Sequence, residues 1–209
     1  MVVYIKSIMC KISFKFATYG TLDKENLPCY KCGNQKISDR SKWVCMLIVA
    51  KRMGELSFGK LMEVYREGNL ENGQELWPDE PTDRQIALAE QEFYQYLQQV
   101  FFKTDGARYL IWEEGGSYIS ALRLEPYRDG LLLAALETLP EMRRKGFGKK
   151  LVHAALEQTG DIKIYSHVNK KNCASLRTHE TCGFERILEY AVYADGSIND
   201  RCCTLCRQK

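Results

Sequence analysis

No stretch of about 18 consecutive apolar residues occurs in the 209-residue chain, so no segment reads as a membrane-spanning helix. Proline is scarce, at 5, and glycine is ordinary, at 15, with no repeat or low-complexity tract. Collagen-like and disordered classes are thereby excluded. There is also no large excess of one charge: 30 Lys and Arg against 27 Asp and Glu leave +3. That excess belongs to one end, since residues 1–45 carry 8 cations and 3 anions and residues 46–209 carry 22 and 24. The body of the chain is slightly acidic, so a nucleic-acid partner is not expected. What is there, 45% hydrophobic and 27% charged residues, is the composition of an ordinary globular domain.

Cysteine is plentiful but odd in number, at 9, and Lys6, Lys11 and Lys15 interrupt the first apolar stretch where a secretory signal would lie. The expectation is a reducing, cytoplasmic setting with free thiols. Residues 1–45 read as an N-terminal extension, with a short strand at Ile12, Phe14 and Phe16 and a Cys29-x-x-Cys32 pair. The abrupt change of pattern and charge after it suggests either a lineage-specific appendage or an upstream reading that is not translated.

From residue 46 the pattern is regular. Met46–Ala50 is a continuous apolar run, expected as a buried strand. Phe58, Leu61, Met62 and Tyr65 share one face of a helix, after which a polar loop is expected through Pro81. Thr82-Asp-Arg-Gln85 reads as a capping box ahead of a helix marked by Ile86, Ala89, Phe93, Leu97 and Val100. Tyr109–Glu113 and Tyr118–Leu124 form a hairpin across Gly115-Gly116, and Leu131–Leu139 is a third strand. A helix over 146–159, a strand over 162–167, a helix over 172–182 and a closing hairpin around Asp195-Gly196 complete the order. The sum is a mixed α/β domain over 46–209.

The most informative stretch is Pro140 to Lys150, between an apolar strand and a helix. It holds five cations in eight residues, Arg143, Arg144, Lys145, Lys149 and Lys150, with glycines at 146 and 148. A helix N-terminus exposes unpaired N–H groups and a partial positive charge, so it suits phosphate. Gly146 and Gly148 allow a pyrophosphate to approach the backbone closely.

Arg143-x-x-Gly146-x-Gly148 resembles the Gln/Arg-x-x-Gly-x-Gly/Ala signature of the GCN5-related N-acetyltransferase (GNAT) superfamily. Asn172, Gly183 and Phe184 stand where that family's Asn and Gly-Phe pair are expected, and the order of elements over 46–209 is similar throughout. The resemblance implies a central mixed, mostly antiparallel sheet flanked by helices on both faces. It implies an N-acetyltransferase moving an acetyl group from acetyl-CoA to a primary amine by direct attack in a ternary complex. No metal is expected, the acceptor is a small-molecule or peptide amine, and the protein is a monomer or homodimer.

By the same resemblance the backbone of Arg143, Arg144, Lys145, Gly146, Phe147, Gly148 and Lys149 holds the pyrophosphate. Leu136, Glu137 and Thr138 offer main-chain groups to the pantetheine arm and thioester, and Asn172 contacts the cofactor. Relatives that acetylate protein N-termini place a catalytic Glu five residues before the Asn and a Tyr acid seven after it; here His167 and His179 stand there. Histidine exchanges protons near neutrality, so His179 is a candidate acid and His167 a candidate base. Glu137 is the competing base, weighed against plain exposed strand polarity. The departure from Glu and Tyr also fits a catalytically silent acyl-CoA-binding module of the same fold.

Two other patterns carry less. Gly54 to Leu61 nearly matches a P-loop, but Leu61 cannot ligate Mg²⁺ where Ser or Thr is required. Cys29, Cys32, Cys203 and Cys206 could form a zinc site, except that Cys203 and Cys206, three apart on an expected strand, point to opposite faces. Cys173 and Cys182 are expected as small packing residues, and His153, in mid-helix, as structural or exposed.

Overall fold

A computed structural model describes residues 45–208. The strand expected near Ile12, the Cys29–Cys32 pair and nearly all of the proposed extension lie outside the described residues. The elements run β1 (Cys45–Ala50), α1 (Phe58–Leu76), α2 (Thr82–Gln99), β2 (Arg108–Glu114), β3 (Ser117–Tyr127) and β4 (Gly130–Thr138). They continue with α3 (Phe147–Thr159), β5 (Ile164–Asn169), α4 (Cys173–Thr181), β6 (Glu185–Leu188), β7 (Ala191–Val192), β8 (Ile198–Asn199) and β9 (Cys202–Arg207). Seven strands form one sheet in the order β1-β2-β3-β4-β5-β9-β6, and β7 and β8 make a separate ribbon. Every pair in the large sheet is antiparallel except β4 with β5. Among the described residues no helix is long and apolar enough to cross a membrane.

Alternation along the strands divides the core between two faces. Tyr109, Ile111 and Ala121 point to the side covered by α1 and α2, where Leu61, Tyr65, Phe93 and Leu97 meet them. Leu110, Leu122 and Leu124 point to the other side, against Leu151, Val152 and Ala155 of α3 and Leu176 of α4. Helices therefore cover both faces of a mixed, mostly antiparallel sheet, as the sequence leads one to expect.

The structure corrects three local expectations. The polar stretch after Tyr65 is not a loop, because α1 continues through Gly68, Asn69, Asn72 and Gly73 to Leu76. Gly73 serves packing here: a Cβ on it would lie 2.6 Å from the Gln85 carbonyl oxygen, so its absence lets α1 and α2 touch backbone to backbone. The capping box does not form. Thr82 is already helical, the preceding Pro81 takes the cap position, and the Gln85 amide nitrogen donates to the Trp77 carbonyl at 2.9 Å. Cys182 is buried as expected, but Cys173 opens α4 and is exposed.

The feature that shapes the site is a bulge in β4. Ala121 of β3 pairs with Glu137 and Arg123 pairs with Ala134, so β4 carries one residue more than β3 over this interval. Ala135 sits there at φ 51, a left-handed conformation that disfavours an alanine by about 1 kcal/mol. The Tyr65 hydroxyl donates to its carbonyl at 2.7 Å, holding the turned peptide in place. The extra residue reverses which side follows. Leu131, Leu133 and then Leu136 face α3, while Ala135 and Leu139 face α1. Glu137 thereby comes to the α1 side, in phase with its partner Ala121.

Candidate active site

β4 and β5 pair only from Leu131–Leu133 to Ile164–Ser166. Beyond that the bulge carries β4 away, and a cleft opens between the two strands. Leu136 and Glu137 line it from β4, His167 from β5, and Asn172 and His179 from the α4 end. The far wall is formed by Tyr65, Asn69 and Asn72 of α1 and by Arg123 of β3. Of the candidate residues, five thus share one cleft, and Thr138 and the Arg143–Lys149 turn continue from its β4 wall.

Glu137 is not surface polarity: its side chain is only 12% exposed. Burial pushes its carboxyl up to about 7, with Glu67 and Glu71 adding to the effect. The Arg143 guanidinium, 4.0 Å away, pulls in the other direction. Arg143 is itself held by Glu67 at 2.6 Å and by donating from Nε to the Thr138 carbonyl at 3.1 Å. The Ser120 hydroxyl donates to the Glu137 carbonyl at 2.6 Å and lies 2.9 Å from the Thr138 hydroxyl. A carboxyl poised at this value exchanges protons readily near neutral pH.

His179, on the last turn of α4, is 1% exposed. Its Nδ1 lies 2.8 Å from the Ser175 carbonyl oxygen, which can only accept, so Nδ1 carries the hydrogen. Burial lowers its pKa, partly offset by that hydrogen bond, so the ring is neutral at pH 7 and Nε2 bears a lone pair. Nε2 is buried and has no hydrogen-bond partner among the described residues. His167 is packed edge-to-face between Tyr127 and Tyr193, with ring centroids 5.3 and 5.5 Å away. Asn172 caps α4: its side-chain oxygen accepts from the Ser175 N–H at 3.0 Å, and the amide hydrogens are not used by that bond. His153 is exposed on α3, its Nε2 3.8 Å from the Cys182 sulfur.

The glycine turn fits a phosphate-bearing ligand. Arg144 at φ 62 and Gly146 at φ 85 both adopt left-handed backbone, which turns the chain into α3. Among the described residues no side chain caps that helix. The Lys150 N–H bonds to the Gly146 carbonyl at 2.9 Å, leaving the N–H groups of the first turn, at 147–149, without intrahelical acceptors. A Cβ on Gly146 would meet no atom of the described residues within 4 Å, so among them the space over the turn is open. One on Gly148 would come within 3.5 Å of the Thr138 hydroxyl. Phe147 is buried, and the Lys150 ammonium lies 5.3 Å from its ring centroid. Cys203 packs in the α3-side core and Cys206 against the cluster of Tyr127, Leu132, Ala134 and Tyr165 on the other face. Among the described residues no group of ligands is arranged for a metal.

Of the polar residues on the far wall, sequence reasoning expects the stretch from Gly68 to Pro81 to shape the acceptor site but singles out none of Asn69, Asn72 and Arg123. The signal for the first two was present, because 62, 65, 69 and 72 fall on one helical face. It became readable only with the helix extended past Gly68. Arg123 sits inside the apolar run Ser120–Leu124, where alternation alone suggests an exposed position.

No curated protein matches the sequence, whereas many solved structures match the fold. PH1933 from Pyrococcus horikoshii OT3 is 14% identical with a TM-score of 0.57, over 78% of this chain and 99% of that one. The PaiA N-acetyltransferase from Thermoplasma acidophilum, solved in complex with coenzyme A, is 15% identical at TM-score 0.51, over 78% and 99%. An N-acetyltransferase from Staphylococcus aureus Mu50 is 14% identical at TM-score 0.51, over 79% and 98%. At such identities the likeness concerns the fold. Residues 64–184, more than half the chain, match the family described as Acetyltransferase (GNAT) family, and the chain belongs to that family.

Proposed function

We propose that the chain is an acetyl-CoA-dependent N-acetyltransferase that acts on a primary amine by direct attack within a ternary complex. The observation that carries this reading is Glu137, a buried carboxyl held near pH 7 in the cleft between the parted strands. Carboxyls raised into this range by burial in a cleft cluster at sites that move protons. The glycine turn and the coenzyme A bound by the T. acidophilum protein support the choice of cosubstrate.

In this reading the N–H groups at 147–149 and the turn from Arg143 hold the pyrophosphate, and Asn172 offers its amide hydrogens to the cofactor. Bound acetyl-CoA supplies the activated thioester carbonyl. Glu137 takes a proton from the acceptor's ammonium, freeing the nitrogen to form the C–N bond as the C–S bond breaks. The second nitrogen proton passes to the departing sulfur, so free thiol and amide leave together. His179, neutral with a bare Nε2, must first accept a proton before it can act as the acid at the sulfur; it is a relay rather than a standing acid. His167, clasped by two tyrosines, shapes the β5 wall in this scheme and is the second candidate base.

The test is thiol release from acetyl-CoA with a panel of primary amines, with the acetylated amine identified by mass spectrometry. Amine-dependent release is expected. Acetyl-CoA binding with no release for any amine class would refute the enzyme reading and leave a silent acyl-CoA-binding module.

A further inference from the structure

Arg123 lies in the middle of the sheet and is 1% exposed, the only Arg or Lys among the described residues that is buried. Rings surround it: Phe93, Tyr96 and Phe101 have their centroids 5.9, 5.2 and 5.6 Å from its Cζ. These contacts favour the cation, and the Tyr96 hydroxyl interacts with the guanidinium as well. The Arg123 Nε and Nη1 are buried and without hydrogen-bond partners among the described residues. Glu125 attracts it from a distance, while the Glu125 carboxylate accepts from the Tyr96 hydroxyl at 3.2 Å. A charge taken out of water with open donors is strongly unfavourable unless something completes it. Arg123 lines the cleft, so what completes it can come from there.

We propose that Arg123 binds the carboxylate of the acceptor, so that the amine acetylated belongs to a small amino-acid-like molecule. The proposal rests on the acetyl-transfer reading and narrows its substrate class. Arg123 and Glu137 face the same side of the sheet. Glu137 pairs with Ala121, and Arg123 stands two residues further along β3, about 7 Å away. Tyr65 lines the same cleft, and its hydroxyl feels both the Arg123 and the Glu137 charge. One small skeleton carrying an amine and a carboxylate would present the first to Glu137 and the second to Arg123.

The rest of the wall agrees. Among the described residues Arg123 is the only Arg or Lys that lines the cleft, which suits a planar monoanion better than a doubly charged phosphate. Asn69, 1% exposed, donates its amide to the Met62 sulfur at 3.3 Å and leaves Oδ1 buried and open. That oxygen can accept from an N–H of the same acceptor. Glu125, Glu137 and, from α1, Glu67 and Glu71 are the anions around this side, and none forms an ion pair with Arg123 among the described residues.

The test compares kcat/KM for the common α-amino acids with their carboxamides, which keep the amine and side chain and lose only the anion. The acids should be preferred by about 30-fold or more. In Arg123→Met that ratio should collapse towards unity, and Arg123→Lys should retain part of it, with circular dichroism and acetyl-CoA titration confirming that each variant is folded. Equal use of acids and amides by the unaltered protein overturns the proposal and leaves acetyl transfer standing. If acetyl-CoA binds and no amine reacts, acetyl transfer falls, and calorimetry with N-acetyl amino acids against their amides, in the presence of CoA, decides the site. Tighter binding of the acids, lost in Arg123→Met, supports it, and no difference overturns it.

Discussion

Replacing Glu137 with Gln should make the protein more heat-stable above neutral pH while removing most of its turnover. Burial raises this carboxyl from its ordinary value of 4.5 to about 7. Between those two values the folded protein holds a proton that the unfolded chain has released, so stability falls as pH rises through that window. By pH 8 the loss amounts to about 3 kcal/mol. Gln cannot ionise, so Glu137→Gln should recover that amount at pH 8 and almost none at pH 4. At 2–4 °C per kcal/mol for a domain of this size, Tm should rise by roughly 10 °C at the higher pH. Turnover should fall by about 10²- to 10⁴-fold, and the rising limb of the pH–rate profile near 7 should vanish. Calorimetric melts at both pH values and initial rates across the range check this. The same Tm change at pH 4 and pH 8, or an unaltered pH–rate profile, would refute the reasoning.

Arg143→Gln removes the cation that pulls the Glu137 carboxyl down, so the rising limb should move to higher pH; a limb that stays or moves down contradicts the pairing. Gly146→Val should abolish acetyl-CoA binding, since its side chain would fill the open space over the turn and strain the left-handed backbone at φ 85. Calorimetric affinity equal to that of the unaltered protein would move the cofactor elsewhere. His179→Phe should lower turnover by ~10²-fold while changing acetyl-CoA affinity far less, and an unaffected rate removes its part in proton transfer.

How much of this was legible beforehand depends on distance along the chain. The strand, glycine turn and helix from Gly130 to Thr159 are local, so composition and spacing were enough to read them. The hairpin of β2 and β3 and the caps of α3 at Gly146 and Gly160 are likewise short-range. The course of α1 past Tyr65 was misread, because Gly68 and Gly73 look like breakers. Gly73 is required by Gln85 of another helix, a contact no local pattern reveals. Arg123 follows the same rule. Its burial depends on rings of α2 and of the turn after it, which approach only when α2 docks on the sheet.

The bulge at Ala135 left no mark in the composition, since an alanine occupies a position that usually selects glycine. Its consequence is a phase slip in an otherwise two-residue wave. All of β4 from Leu136 onward is read half a period later than the residues before it. Substitutions at Ala135 would alter strain, whereas deleting one residue anywhere in 134–136 would restore the phase. The ladder would then run without interruption, Leu122 facing a single β4 residue, and Glu137 would stay opposite Ala121 on the α1 side. A single-residue deletion here would leave the polar and apolar sides of the cleft where they are and remove the turned peptide that carries β4 away from β5, closing the gap rather than inverting it, a fault to which substitution scanning is blind.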